Sequence, residues 1–186
     1  VIRKFGPHPN GVTGIAFAPS GETVYSVSDQ GRFDSGENLN DANMSFDELI
    51  ERQFGLFPRD LTVWSVKDPT SHKLGTQAGG INALAIANEA HLIATASDDG
   101  TVALRQERSG DLVKMLKGHT NKVMSVAFSP DGQILASAGA DSTLILWDKN
   151  GQQLKAIRQN SLVRTVAFAP SGQLILLLQA PEEPKT

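Results

Sequence analysis

The sequence predicts an all-β fold built from repeated four-stranded antiparallel sheets. The first observation is a recurring ten-residue pattern, Val12 to Gly21 (VTGIAFAPSG), Val123 to Gly132 (VMSVAFSPDG) and Val163 to Gly172 (VRTVAFAPSG). Each copy reads as a strand of alternating apolar residues closed by a Pro-x-Gly turn. The second observation is the period. Phe128 and Phe168 stand 40 residues apart, and a weaker copy, Ile81 to Asn88 (INALAIAN), sets Ile86 42 residues before Phe128. Both spacings fall in the window of roughly 40–45 residues that makes one four-stranded propeller blade. The third is that the gaps between copies carry further strand and hairpin signals in a fixed order.

The second strand of each unit is Val24 to Ser28 before Asp29-Gln30-Gly31, Leu92 to Ser97 before Asp98-Asp99-Gly100, and Ile134 to Ala138 before Ala140-Asp141-Ser142. Asp, Gly and Ser at these places favour tight hairpins. A third strand follows at Thr101 to Leu104 and at Thr143 to Asp148, but in the first unit it is delayed to Leu61-Thr62-Val63-Trp64. The 69 residues from Phe17 to Ile86 therefore hold one period and an insertion of residues 32–59 within the first blade. More polar fourth strands close the later units, around Leu112 to Leu116 and Leu154 to Ile157.

Gly118-His119 followed by Trp147-Asp148 resembles the two signature dipeptides of the WD40 repeat family, at that family's spacing. The resemblance covers most of the chain outside Arg32 to Arg59 and the tail from Pro181, and it is most specific in the third repeat. It implies a β-propeller in which His119, Ser137, Asp141 and Trp147 join in a hydrogen-bonded structural tetrad. An imidazole between a carboxylate and a hydroxyl satisfies buried polar groups that would otherwise cost about 1–3 kcal/mol each. Gln30 replaces the aspartate of the first repeat, and Gln77 and Arg105 replace the histidine and tryptophan of the second, so those two blades are expected to be looser.

His119, Ser137 and Asp141 also have the residue types of a hydrolase triad. A nucleophile needs an exposed oxygen on a sharp turn beside an oxyanion hole, whereas Ser137 sits inside the apolar run Ile134-Leu135-Ala136-Ser137-Ala138. No catalytic residue, cofactor or metal site is expected. His72 and His91 lack metal-spaced companions, and no glycine-rich phosphate loop is present.

The insertion carries one helix signal. Ser45 and Glu48 form a capping box, Gly55 stands where a helix would end, and Phe46, Leu49, Ile50 and Phe54 make one apolar stripe. Aligning Glu48 with the last ligand of a calcium loop puts Leu39 at the third position and Ala42 at the required glycine, and a leucine does not ligate a hard cation. The stripe is expected to pack on the propeller or to present a docking face to a partner.

The 17 Lys and Arg, 20 Asp and Glu and net charge of -3 contain no long run of one sign, so neither nucleic acid nor a membrane surface is an expected partner. The absence of cysteine excludes disulfides and thiolate chemistry and fits a reducing compartment, so the cytoplasm is the expected location. No apolar stretch approaches the roughly 18 residues of a membrane span.

Taken as one partial propeller over residues 1–186, the chain supplies an orphan outer strand (Ile2 to Phe5), three four-stranded blades and two strands of another. Closed rings have typically four to eight blades, and bare edges invite pairing. The expectation is a piece of a longer polypeptide, with the start at Val1 in mind, a two-copy ring and a strained small ring being the alternatives. The implied function is a protein–protein interaction scaffold or sensor module. Its binding face would combine the insertion with Asn10, Asp98, Asn121 and Lys122. The rival is a hydrolase-type enzyme at the channel mouth under the inserted segment.

Overall fold

The computed structural model describes residues 12–17, 23–28, 59–65 and 71–178. Within them lie fourteen strands and no helix. The first sheet runs β1 (Val12–Phe17), β2 (Thr23–Ser28), β3 (Arg59–Ser65) and β4 (Ser71–Gln77). The second runs β5 (Ile81–Ala87), β6 (Leu92–Ser97), β7 (Thr101–Gln106) and β8 (Leu112–Lys117). The third runs β9 (Val123–Phe128), β10 (Ile134–Gly139), β11 (Thr143–Asp148) and β12 (Gln153–Arg158). A two-stranded sheet of β13 (Val163–Phe168) and β14 (Leu174–Leu178) completes the order. All pairings are antiparallel between sequence neighbours, the pattern of consecutive propeller blades. The helix expected from Phe46, Leu49, Ile50 and Phe54, the orphan strand and Asn10 lie outside the described residues.

The repeat extends to its irregularities. The first strand of every sheet slips register at its entry, between Val12 and Gly14, Ile81 and Ala83, Val123 and Ser125, and Val163 and Thr165. A bulge recurring at one place adds local twist at the same point of each sheet. The turns differ in how they reach the left-handed region. Gly100, Gly132 and Gly172 supply it without steric cost, but the β5–β6 turn, which lacks the Pro-x-Gly pattern, uses His91 (φ 51°), and the β10–β11 turn uses Ser142 (φ 61°).

Burial is concentrated at the joints between sheets. Tyr25, Val27 and Leu61 meet Ile81 and Ile93 at the first joint. Ala94, Ala96, Val102 and Leu104 meet Val123, Val126, Leu135 and Trp147 at the second. Ala136, Ala138 and Leu144 meet Val163 and Val166 at the third. Alanines on one face against branched or aromatic residues on the other let adjacent sheets interdigitate at native density. Backbone and side-chain hydrogen bonds cross the same joints: Asn82 Nδ2 donates to Val123 O at 2.9 Å, and Val166 N donates to Ser125 Oγ at 3.2 Å.

The outermost joints of the described array have no mate within it. Ile15 and Phe17 on β1 each keep 63% of their surface exposed, and Ile175 and Leu177 on β14 keep 53% and 60%. Equivalent positions inside the array do not. Leu84 and Ile86 of β5, which match Ile15 and Phe17, pack against the first joint.

Candidate functional site

In the third sheet, four side chains from four different segments converge. His119 lies just past β8, Ser137 on β10, Asp141 in the β10–β11 turn and Trp147 on β11. His119 Nδ1 is 3.1 Å from both carboxylate oxygens of Asp141, and His119 Nε2 is 2.8 Å from Ser137 Oγ. Trp147 Nε1 donates to the same hydroxyl at 2.9 Å. With Nδ1–H held by the carboxylate, a neutral imidazole presents Nε2 as an acceptor. Ser137 then donates to the imidazole and accepts from the indole.

The surroundings hold each member in place. Thr120 N donates to Asp141 Oδ2 at 2.8 Å and Thr143 N to Oδ1 at 3.0 Å. Burial opposes ionisation of Asp141, but the Thr120 amide, His119 and the Thr143 amide outweigh it and hold the carboxyl below the usual carboxylate range. A Cβ at Gly118 would stand 2.9 Å from Trp147 Cη2 and 3.0 Å from Ile145 Cδ1, so glycine before His119 is what lets the indole lie under the chain. Ser137 is fully buried and the His119 side chain is 1% exposed. The Ser137 hydroxyl therefore lies inside the sheet, bonded on one side to the imidazole and on the other to the indole.

The second sheet reaches a comparable result with different residues. Thr95 Oγ1 donates to Gln77 Oε1 at 2.7 Å, and Gln77 Nε2 donates to Thr101 Oγ1 at 3.1 Å. Thr101 Oγ1 in turn donates to Asp99 Oδ1 at 2.6 Å, which also accepts from Thr101 N at 2.8 Å. The amide offers a donor and an acceptor on one planar group, so it bridges two threonines where an imidazole bridges serine and aspartate. Arg105, in the place of the tryptophan, lies against Gly75 and donates from Nη1 to Gly110 O at 2.9 Å. The looser second blade expected from these replacements is therefore not seen in its hydrogen bonding: Gln77 is buried and both its amide ends are engaged. Gln30 lies outside the described residues. Among the described residues the fourth sheet shows no such chain: Leu176 stands opposite Val166 where Ser137 stands opposite Val126.

On the face where the β6–β7 and β10–β11 turns emerge, three polar residues knit two sheets together. Asn82 Nδ2 donates to Asp98 Oδ1 at 2.8 Å, and Lys122 Nζ donates to Asp98 Oδ2 at 2.7 Å. Asn121 Oδ1 accepts from Lys122 N at 2.8 Å and leaves its amide nitrogen at an exposed position. Asp98, Asn121 and Lys122 thus share one patch, whereas Phe46, Leu49, Ile50, Phe54 and Asn10 lie outside the described residues. Sequence reasoning missed Asn82. Its signal was an amide placed one residue into an apolar strand, beside the Ile81 bulge.

The family model described as "WD domain, G-beta repeat" matches residues 1–32, 63–104 and 110–148, more than half of the chain. The chain belongs to the WD40 repeat family. Among its WD-repeat relatives, the protein groucho of Drosophila melanogaster is 29% identical over 117 residues, covering 61% of this chain and 16% of groucho. An uncharacterized WD repeat-containing protein of Synechocystis sp. is 38% identical over 92 residues, covering 48% of this chain and 26% of the relative. The matched part spans only about a sixth to a quarter of these relatives. The WD40 repeats point to a scaffold that holds other proteins.

Proposed function

We propose that this WD40 chain is a protein-interaction scaffold whose partner binds on the face carrying Asp98, Asn121 and Lys122, the insertion of residues 32–59 taking part in the binding. The supporting observation is the Asn82–Asp98–Lys122 cluster. It joins the second and third sheets, so polar groups at this mouth are held by a rigid frame rather than by mobile loops. The insertion leaves the first sheet between β2 and β3, the connection equivalent to the one that holds Asp98.

In this reading the His119–Ser137–Asp141–Trp147 set is a buried tie within the blade and the enzyme alternative is disfavoured. The apolar surfaces of β1 and β14 support a further part of the reading, that more blades, on the same polypeptide or on a second copy, cover them. A cytoplasmic location belongs to the same proposal and rests on the absence of cysteine.

The test is a pull-down with the intact chain and with a version lacking residues 33–58, which leaves β3 whole. Loss of captured protein on deletion, and on Lys122→Glu in the full chain, is the expected result. Capture unchanged by both would remove this face from the model. Hydrolysis of a broad ester and phosphoester panel that disappears with Ser137→Ala, in a protein that still melts cooperatively, would favour the enzyme.

A further inference from the structure

The outer strands of the second and third sheets carry basic residues in the same register. Lys114 and Lys155 stand opposite Leu104 and Leu146, and Lys117 and Arg158 stand opposite Thr101 and Thr143. All four are exposed, and neither β8 nor β12 contains an acidic residue. The nearby carboxylates are engaged in their own turns. Asp111 accepts from Ser109 Oγ at 2.6 Å, and Asp148 accepts from Asn150 N at 2.9 Å and Gln152 N at 2.7 Å. Among the described residues none of the four cations has a carboxylate partner, in a chain whose net charge is -3.

Two structural facts turn these charges into a surface. First, β8 and β12 are the terminal strands of their sheets, so each presents a row of backbone donors and acceptors with no strand beside it among the described residues. Second, the turn before β12 sits on β8: a Cβ at Gly151 would meet Leu116 and the aliphatic stem of Lys114. The turn that leads into β12 therefore lies against β8. Val113 and Leu154, at equivalent positions, keep 45% and 54% of their surface exposed and add apolar purchase next to the charges.

We infer that this rim is a second interaction surface, which takes an acidic polypeptide segment in extended conformation as an added strand on β8 or β12. Lysines on an edge repel another basic edge, but they attract a strand that alternates carboxylates with apolar residues. Backbone pairing supplies the register, and the cations choose the partner. A polyanion without an extended peptide backbone, such as a nucleic acid, satisfies only the charges. The surface is distinct from the loop face proposed above and does not depend on it.

The test uses the whole chain and a fluorescein-labelled, end-blocked decapeptide alternating glutamate and valine, followed by fluorescence anisotropy. Saturable binding is expected, weakened at least tenfold by K114E/K117E/K155E/R158E and weakened further as salt rises. A peptide N-methylated at every residue keeps every charge but loses the backbone donors of both its edges, and it too should bind at least tenfold more weakly. Where charge reversal lowers the melting temperature, K114Q/K117Q/K155Q/R158Q gives the same reading. The inference is overturned by absence of saturable binding, by a folded quadruple variant that binds as before, or by N-methylated peptide binding equally well. It is also overturned if a single-stranded oligonucleotide or a vesicle of anionic lipid binds the same four residues more tightly than the peptide.

Discussion

Gln77 Nε2 donates to Thr101 Oγ1 at 3.1 Å, and through that bond the second sheet keeps a continuous polar chain from Thr95 to Asp99 without a histidine. Gln77→Leu fills nearly the same volume but deserts Thr95 Oγ1, which is 1% exposed, and removes one acceptor from a buried network. The expected loss is about 1–3 kcal/mol. Denaturant unfolding measures it, and hydrogen exchange should place it in β6 and β7, since repeat arrays couple chiefly to nearest neighbours. A loss below about 0.5 kcal/mol would mean that water replaces the amide.

Trp147 is the third sheet's largest anchor, buried in the joint with the second sheet and bonded to Ser137. Trp147→Ala removes both the packing and the donor, and is expected to cost about 3–5 kcal/mol. In a chain of this size that corresponds to a fall in melting temperature on the order of 10 °C. Trp147→Phe, which keeps much of the volume and loses the Nε1–H, should cost clearly less. Equal costs for the two would show that the hydrogen bond, not the packing, dominates.

Asp141 fixes the sign of one pH effect. Its carboxyl lies below the ordinary range in the folded protein, so the native state holds the proton less tightly than the unfolded chain and ionisation favours folding. That contribution is complete above the unfolded value of about 3.9 and is lost as pH falls through the lower folded value. The stability difference between the natural chain and Asp141→Asn should therefore be largest near neutrality and narrow below about pH 4. Parallel urea titrations at pH 7 and pH 3.5 check this, and a difference that widens in acid would contradict the argument.

How far the fold was legible depends on what each segment encodes locally. Strand positions followed from alternation and from the 40- to 42-residue spacing, and the observed β6, β11 and β14 sheet partners lie where those patterns put them. Residues 12–17 and 163–168 share one pattern, so finding either strand finds the other. The Gln77 bridge was not legible, because it needs Thr101, a residue that reads from sequence only as the first position of a strand. Its role appears when β4 is laid beside β7 in space. Asn82 escaped for the same reason, since its two acceptors, Asp98 Oδ1 and Val123 O, lie 16 and 41 residues away. Likewise β14 is apolar at every position, so its composition suits either face, and only pairing with β13 decides that Leu176 turns to the third sheet.

Ser142 offers a stabilising substitution that follows from comparing two repeats. The β6–β7 turn places Gly100 at φ 81°, whereas the β10–β11 turn holds Ser142 at φ 61°, a conformation that is unfavourable for a residue with a Cβ by roughly 1–2 kcal/mol. Its backbone is engaged on both sides, donating to Gly139 O at 3.2 Å and accepting from Gln159 N at 2.8 Å, so the turn does not relax to relieve it. Glycine would remove the strain and give back part of the gain, about 0.5–1 kcal/mol, as extra freedom of the unfolded chain. Ser142→Gly should therefore stabilise the protein by up to about 1 kcal/mol, raising the melting temperature by about 2–4 °C. Scanning calorimetry of the two proteins decides it, and a lower melting temperature for the glycine variant would mean that the serine side chain makes a favourable interaction outweighing the backbone strain.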